Sequence, residues 1–324
     1  MKAAVLGESG VEIRDVPPPS PKPNEVLVRI RACSLNRADL IMASGRMHGS
    51  QGGPGAVLGM EWAGEVVEVG AEVPPGLKPG DRVMGSGGGG YAELAATDWG
   101  RVLPVPDPAM AFEVATTLPI ALQTMHDALV TNGRLAAGEA VMIQGASTGV
   151  GLMGLQIARL MGAGLVVGSS TNPDRRARLA EFGADLVVDS RDPGWPERVL
   201  QATGGRGLDL IVDQISGGVA NANMKASAVR GRIVNVGRLG GFTGEFDFDL
   251  HALKRIAYIG VTFRTRSLEE VRAITAAMRR DLWPALAEGR LRLPVDRTYR
   301  LDEAAEALAR MRANAHFGKI VMTV

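Results

Sequence analysis

Four glycines, Gly145, Gly149, Gly151 and Gly154, stand where an apolar run, Val141-Met-Ile-Gln144, gives way to a helical pattern reaching Ala158. A strand that enters a helix through glycine leaves unpaired N–H groups at the positive end of the helix dipole, which is chemistry suited to a pyrophosphate. The donors come from Gly145, Ala146, Ser147, Thr148, Gly149, Val150 and Gly151. The spacing departs from Gly-x-Gly-x-x-Gly, so by itself the turn also reads as a tight connection with no ligand. Gly151, Gly154 and Ala158 share one helical face and let the helix lie close on a sheet, which favours the phosphate reading.

The end of the following strand decides which dinucleotide fits. An acid there hydrogen-bonds a ribose 2′-hydroxyl and repels a 2′-phosphate. The sequence instead runs Val167-Gly-Ser-Ser-Thr-Asn-Pro-Asp-Arg-Arg176, so Ser170 and Thr171 offer hydroxyls, with Ser169 before them, and Arg175 and Arg176 offer cations. NADPH is favoured over NADH. Asp174 argues mildly the other way, although an acid in a first helical turn is ordinary capping chemistry, and a solvated helix face accounts for at least one arginine.

The chain of 324 residues exceeds the usual single core, so two domains are expected. Basic and acidic residues nearly balance, 36 against 35, and are interspersed, which excludes a polyanion-binding stripe. The N-terminal apolar run is too short for a signal peptide and no run reaches membrane-spanning length, so a cytoplasmic protein is expected. Cys33 is the only cysteine, which rules out internal disulfides and leaves a small buried hydrophobe as its ordinary role.

Residues 1 to 115 are rich in Val, Gly and Pro, with strand runs Glu25–Ala32 and Glu65–Val69, and read as a mainly β domain. A helical pattern over Phe112–Leu135, with Pro119 at a helix start or kink, leads into alternating elements: strand Val141–Ile143, helix Val150–Met161, strand Leu165–Val167, helix Asp174–Phe182, then strands Leu186–Val188, Leu208–Asp213 and Arg232–Val236. That alternation is the mark of a doubly wound parallel sheet. A strand Tyr258–Phe263, helices Leu268–Met278, Leu282–Glu288 and Asp302–Met311, and a closing strand Lys319–Val324 follow. The last strand needs a sheet to join. The simplest topology returns it to the first domain, giving 1–115 with 259–324 around an inserted nucleotide domain, 116–258.

Ser34-Leu-Asn-Arg-Ala-Asp-Leu40, Gly59-Met-Glu61, Gly80-Asp-Arg-Val83, Gly87-Gly-Gly-Gly-Tyr-Ala-Glu93, Gly145–Gly151 and Phe317-Gly-Lys-Ile-Val321 occur in order along the chain. Together they resemble the zinc-independent quinone oxidoreductases of the medium-chain dehydrogenase/reductase superfamily. The resemblance implies an α/β protein with a GroES-like mainly β catalytic domain and a Rossmann NADP(H)-binding domain, and a homodimer. Zinc alcohol dehydrogenases of this fold place a Cys and a Gly-His-Glu at the metal, where this chain has Asn36 and Met60. Neither is a usual zinc ligand, so no metal is expected. Without a Lewis acid, the expected acceptor is a quinone or conjugated enone, whose π system spreads the developing charge.

The resemblance further implies that Asn36 orients cofactor or acceptor, with Asp39 fixing local structure. It brings Thr124, Phe263, Arg264 and Asn314 near the nicotinamide and Gly237 to the C-terminal edge of the sheet. A loop amide capping backbone groups is the plainer account of Asn36. Relatives carry a tyrosine shortly after the Asn-x-x-Asp motif, where Met47 stands here, leaving His48 as the acid candidate beside the plainer reading of a mobile loop histidine. An enoyl-thioester reductase on the same fold and a non-catalytic NADPH-binding protein are the rival readings.

Overall fold

The computed structural model describes residues 1–8 and 10–324. It separates into two compact units, Met1–Ile120 with Phe263–Val324, and Ala121–Thr262. Among the described residues no helix is long and apolar enough to cross a membrane.

The first unit opens with a hairpin, β1 (Lys2–Gly7) and β2 (Gly10–Asp15), before the prolines between Pro17 and Pro23 break the chain. Next come β3 (Glu25–Ser34), α1 (Arg37–Ala43), β4 (Glu61–Val69), β5 (Arg82–Ser86), β6 (Leu94–Asp98), β7 (Val102–Pro104) and α2 (Phe112–Ala115). The central strand is β3. It pairs antiparallel with β4, with β6 and with the chain's closing strand. Its exposed Arg29 and Arg31 alternate with buried Val28, Ile30 and Ala32, the period-two pattern that puts one face in a core with Trp62, Tyr91 and Ile320. Gly64 on β4 is required there, since a Cβ would sit 2.0 Å from the Arg29 carbonyl oxygen.

The helical pattern over Phe112–Leu135 is interrupted in the structure. It forms α2, then α3 (Pro119–His126), then a π-turn over Asp127–Asn132. Pro119 explains the first break, because the residue before a proline is pushed out of the α region and the ring lacks an N–H.

In the second unit α3 is followed by β8 (Ala140–Gln144), α4 (Gly149–Leu160), β9 (Leu165–Ser169), α5 (Pro173–Ala177), β10 (Leu186–Val188), α6 (Trp195–Ala202), β11 (Leu208–Asp213), α7 (Ala220–Ala226), β12 (Ser227–Asn235), α8 (Phe248–Lys254) and β13 (Ala257–Gly260). The six strands form one parallel sheet in the order β10-β9-β8-β11-β12-β13. The order reverses between β8 and β11, the switch point where such sheets bind ligands at the carboxyl ends of their strands. The helix expected over Asp174–Phe182 is two pieces, α5 and a 3₁₀ turn Leu179–Phe182. Leu179 and Phe182 are the buried pair, and their spacing of three suits the tighter helix.

The first unit closes with α9 (Leu268–Ala287), β14 (Val295–Arg300), α10 (Ala304–Arg312) and β15 (Lys319–Thr323). α9 replaces two expected helices, because buried Val271, Thr275, Met278 and Leu282 keep one face continuous through the polar Arg279–Asp281. β13 ends at Gly260, so Phe263 lies beyond the strand expected to hold it. The closing β15 pairs with β3 and with β14.

Candidate active site

The glycine turn is held by a polar network that sequence periodicity does not reveal. Gly145 adopts φ 72°, and its N–H donates to Ser169 Oγ at 2.9 Å. Ser169 donates to Gln144 Oε1 at 2.6 Å, Gln144 to Asn223 Oδ1 at 2.8 Å, and Asn223 to Asp213 Oδ2 at 3.0 Å. The other Asp213 oxygen accepts the N–H groups of Ile215 and Ser216. Burial raises the Asp213 carboxyl above its ordinary value, against these hydrogen bonds. Gln214, just beyond β11, donates to the carbonyls of Gln144 and Gly145, tying both sides of the switch point.

Thr148 caps α4, its Oγ1 accepting from Gly151 N–H at 2.9 Å. The cap leaves Gly149 and Val150, the first two residues of the helix, with N–H groups that no carbonyl four residues back can reach. The turn is also too tight for a side chain at Gly151, where a Cβ would lie 2.6 Å from the Gly145 carbonyl oxygen. Gly154 packs on Met125 and Ile143, with a Cβ there falling 2.9 Å from the Met125 sulfur. Glycines, cap and orphan donors together fit a pyrophosphate.

At the end of β9, Ser170 Oγ lies 3.0 Å from Ser147 Oγ, joining the expected ribose end to the cradle. Asn172 caps α5 by accepting from Arg175 N–H. Arg176, one of the two arginines named from sequence, donates to the Ser170 carbonyl at 2.7 Å and to Asp189 at 3.1 Å. Arg191, which the sequence did not point to, donates to the Thr171 carbonyl at 2.6 Å and pairs with Asp189 at 3.5 Å, with its side chain 70% exposed. No acid takes the place of Ser169, Ser170 or Thr171, and Asp174 sits exposed in the first turn of α5. Gly237, past β12, packs against Gln214, and a Cβ would lie 2.6 Å from the Gln214 carbonyl oxygen. Thr124 is the half-buried member of an otherwise buried run on α3.

The first unit holds a buried polar cluster around Glu61. Its Oε2 accepts from Lys319 Nζ at 2.6 Å, Ser34 Oγ at 2.7 Å and Asn36 Nδ2 at 3.0 Å, and its Oε1 from Ile120 N–H at 2.6 Å. Lys319 Nζ also donates to Asn36 Oδ1 at 2.9 Å. Asn36 precedes α1 and turns its amide into this cluster, while Asp39 reaches back to its N–H at 2.7 Å. The same Asp39 oxygen accepts from Tyr91 OH at 2.7 Å, and Oδ1 has no partner among the described residues. Burial lifts the Asp39 carboxyl from 3.8 to about 7, against the Asn36 N–H, Tyr91 and Lys319. Cys33 is buried on β3, and burial raises its thiol well above the ordinary value.

The structure brings Asn36 together with Glu61 and Lys319, members of the quoted motifs that sequence reasoning left without roles. The signal for Lys319 was a lysine opening an apolar strand. Of the other residues expected near the nicotinamide, Phe263, Arg264 and Asn314 belong to this unit and Thr124 to the other. His48 and Arg264 are neighbours; burial and then the Arg264 charge lower the His48 pKa below its ordinary 6.5. That favours a neutral imidazole near pH 7 and counts against the general-acid role. Asn314 accepts from Arg37 at 2.6 Å and stabilises the start of α1 instead of standing free, and Phe263 is half-buried in a turn. Asn36, at one of the two positions where zinc relatives carry a ligand, hydrogen-bonds Lys319 and Glu61, and among the described residues no group of three His, Cys, Asp or Glu is arranged to hold an ion.

Residues 149–279 match the zinc-binding dehydrogenase family and residues 22–107 the alcohol dehydrogenase GroES-like domain. A probable oxidoreductase from Mycobacterium abscessus is 32% identical, with TM-score 0.86, covering 100% of this chain and 99% of its own. A quinone oxidoreductase from Pseudomonas syringae pv. Tomato DC3000 is 26% identical, with TM-score 0.87 and full coverage of both chains. In sequence, a phenolphthiocerol/phthiocerol polyketide synthase chain of Mycobacterium tuberculosis is 29% identical over 314 residues, 97% of this chain. The chain spans only 14% of that relative's length. With a GroES-like β unit, a parallel-sheet Rossmann unit and these relatives, the chain belongs to the medium-chain dehydrogenase/reductase superfamily of oxidoreductases, in its quinone oxidoreductase-like branch.

Proposed function

We propose that the chain is an NADPH-dependent, metal-free reductase that passes hydride to a quinone or a conjugated enone. The observation that carries this reading is the end of β9, where Ser170 and Thr171 stand in place of an acid, Arg175 lies on the following α5, and Arg176 and Arg191 donate to the Ser170 and Thr171 carbonyls. When bound, NADPH supplies the hydride. The N–H groups of Gly149 and Val150 hold the pyrophosphate at the N-terminus of α4, and Arg175 and Arg191 with Ser170 receive the 2′-phosphate. Asn36, Thr124, Phe263, Arg264 and Asn314 keep the nicotinamide-side roles that the resemblance gives them, and Gly237 its place for the dinucleotide at the C-terminal edge of the sheet. Positioning is the main catalytic device and supplies on the order of several kcal/mol. His48, neutral near pH 7, leaves water as the proton source. A cytoplasmic homodimer is part of the same proposal.

A second reading has its own support. The polyketide synthase relative aligns with nearly the whole chain, which favours an enoyl thioester as the conjugated acceptor. The two readings share cofactor and chemistry and differ in what carries the enone.

Purified protein would be analysed for metal, titrated with NADPH, and offered quinones, free enones and an enoyl-pantetheine thioester. The proposal expects oxidation of NADPH by a quinone or free enone and no stoichiometric zinc. Selective turnover of the thioester establishes the second reading. NADPH binding with no acceptor turned over sinks both in favour of a non-catalytic binder, and one zinc per chain overturns the metal-free part.

A further inference from the structure

The orientation of the Asn36 amide is set by its neighbours' charges. An ammonium only donates and a carboxylate only accepts, so Oδ1 must face Lys319 and Nδ2 must face Glu61. Turning the amide over would set N–H against ammonium and oxygen against carboxylate. The two charged groups are in turn held by each other at 2.6 Å. Their burial matters, because a salt bridge out of water is electrostatically strong and costly to leave half-made.

Exposure within the cluster is graded. Glu61 and Ser34 are 0% exposed, Lys319 4% and Asn36 9%, so Asn36 is the residue of the cluster nearest to solvent. The two Nδ2 hydrogens of Asn36 are used unequally. One goes to Glu61 at 3.0 Å, and the other makes only a long hydrogen bond, 3.5 Å, to the Ser34 carbonyl, which a better-placed acceptor can replace. The ammonium lies 2.9 Å from the residue that stands where zinc relatives carry a metal-binding cysteine.

We infer that Lys319, with Glu61 as its counter-charge, is the positioning residue of the catalytic unit: it locks the Asn36 carboxamide so that its second Nδ2 N–H is presented to the carbonyl oxygen of the acceptor. This rests on the hydride-transfer reading above. The ammonium polarises the amide through Oδ1 and strengthens the N–H as a donor to an oxygen gaining negative charge, a part played by a metal in zinc-dependent relatives. Lys319 acts through Asn36, which carries the contact.

The test pairs Lys319→Met with Glu61→Gln in one protein, removing both charges so that neither is left buried alone. Thermal unfolding and NADPH affinity should stay close to those of the unmodified protein. Turnover of the best acceptor should fall about 10-fold to 100-fold with KM little changed, since the donor works chiefly in the transition state. Lys319→Arg, which keeps a cationic donor, should recover part of the loss. Independently of turnover, the Asn36 side-chain amide signals, identified by their absence in Asn36→Ala, should lose protection from hydrogen exchange in the double variant. Unchanged turnover in a folded double variant overturns the inference, as does unchanged amide protection. If the unmodified protein turns over no acceptor, the hydride-transfer reading fails, and amide protection alone then decides whether Lys319 locks Asn36.

Discussion

Asp39 offers a test of the buried cluster that needs no substrate. Its carboxyl is fully buried, one oxygen accepts from Asn36 N–H and Tyr91 OH, and the other has no partner among the described residues. Burial is the largest cause of its rise from 3.8 to about 7. The folded protein therefore keeps this proton between about pH 4 and pH 7, where the unfolded chain has released it. The stabilisation is fully present below the unfolded value and is lost as pH rises through the folded one. Three units at about 1.36 kcal/mol each give about 4 kcal/mol across that window. Asp39→Asn removes the titration with little change of shape, because the amide oxygen can keep both accepted hydrogen bonds and the NH₂ takes the place of the orphan oxygen. Denaturant unfolding of both proteins at a series of pH values isolates the effect, since every other titrating group cancels in the difference. The native protein should lose stability relative to Asp39→Asn by about 4 kcal/mol from pH 4 to pH 7.5. Parallel stability curves would refute the argument.

Two further predictions address the second unit. Arg175→Ala and Arg191→Ala should each weaken NADPH about 10-fold or more while affecting NADH much less, because each removes a cation beside the 2′-phosphate, a group that NADH lacks. Equal effects on the two nucleotides, read by fluorescence titration, would remove these arginines from the subsite. Gly151→Ala places a Cβ 2.6 Å from the Gly145 carbonyl oxygen, so α4 must move off the turn. Dinucleotide binding should be lost with a stability cost of about 1–3 kcal/mol, and unchanged affinity would show that the turn is no cradle.

Local patterns were legible where one residue's neighbours in the chain decide its conformation. The alternation that placed β8, α4, β9 and β11 comes from burying strands on both faces, and it emerged with the parallel sheet intact. The long helical patterns fared less well. A proline at 119 broke one, an apolar pair at spacing three tightened another, and a polar stretch at 279–281 hid the continuity of α9. Each outcome was settled by burial or backbone sterics that a hydrophobic period averages away.

By itself the sequence determined the doubly wound unit, the glycine turn, and the hydroxyls in place of an acid after β9, because these depend on residues adjacent in the chain. Only the tertiary structure decided which side chains are committed. Arg176 reaches Asp189 and the Ser170 carbonyl, and Arg191 reaches the same Asp189 and the Thr171 carbonyl from another loop. Lys319 reaches Asn36 across 283 residues, through the pairing of β15 with β3. A hydrogen bond of that separation leaves no period or spacing in a sequence. It exists because a strand from the chain's end is buried against one from its beginning, where an unpaired charge would be too costly to keep.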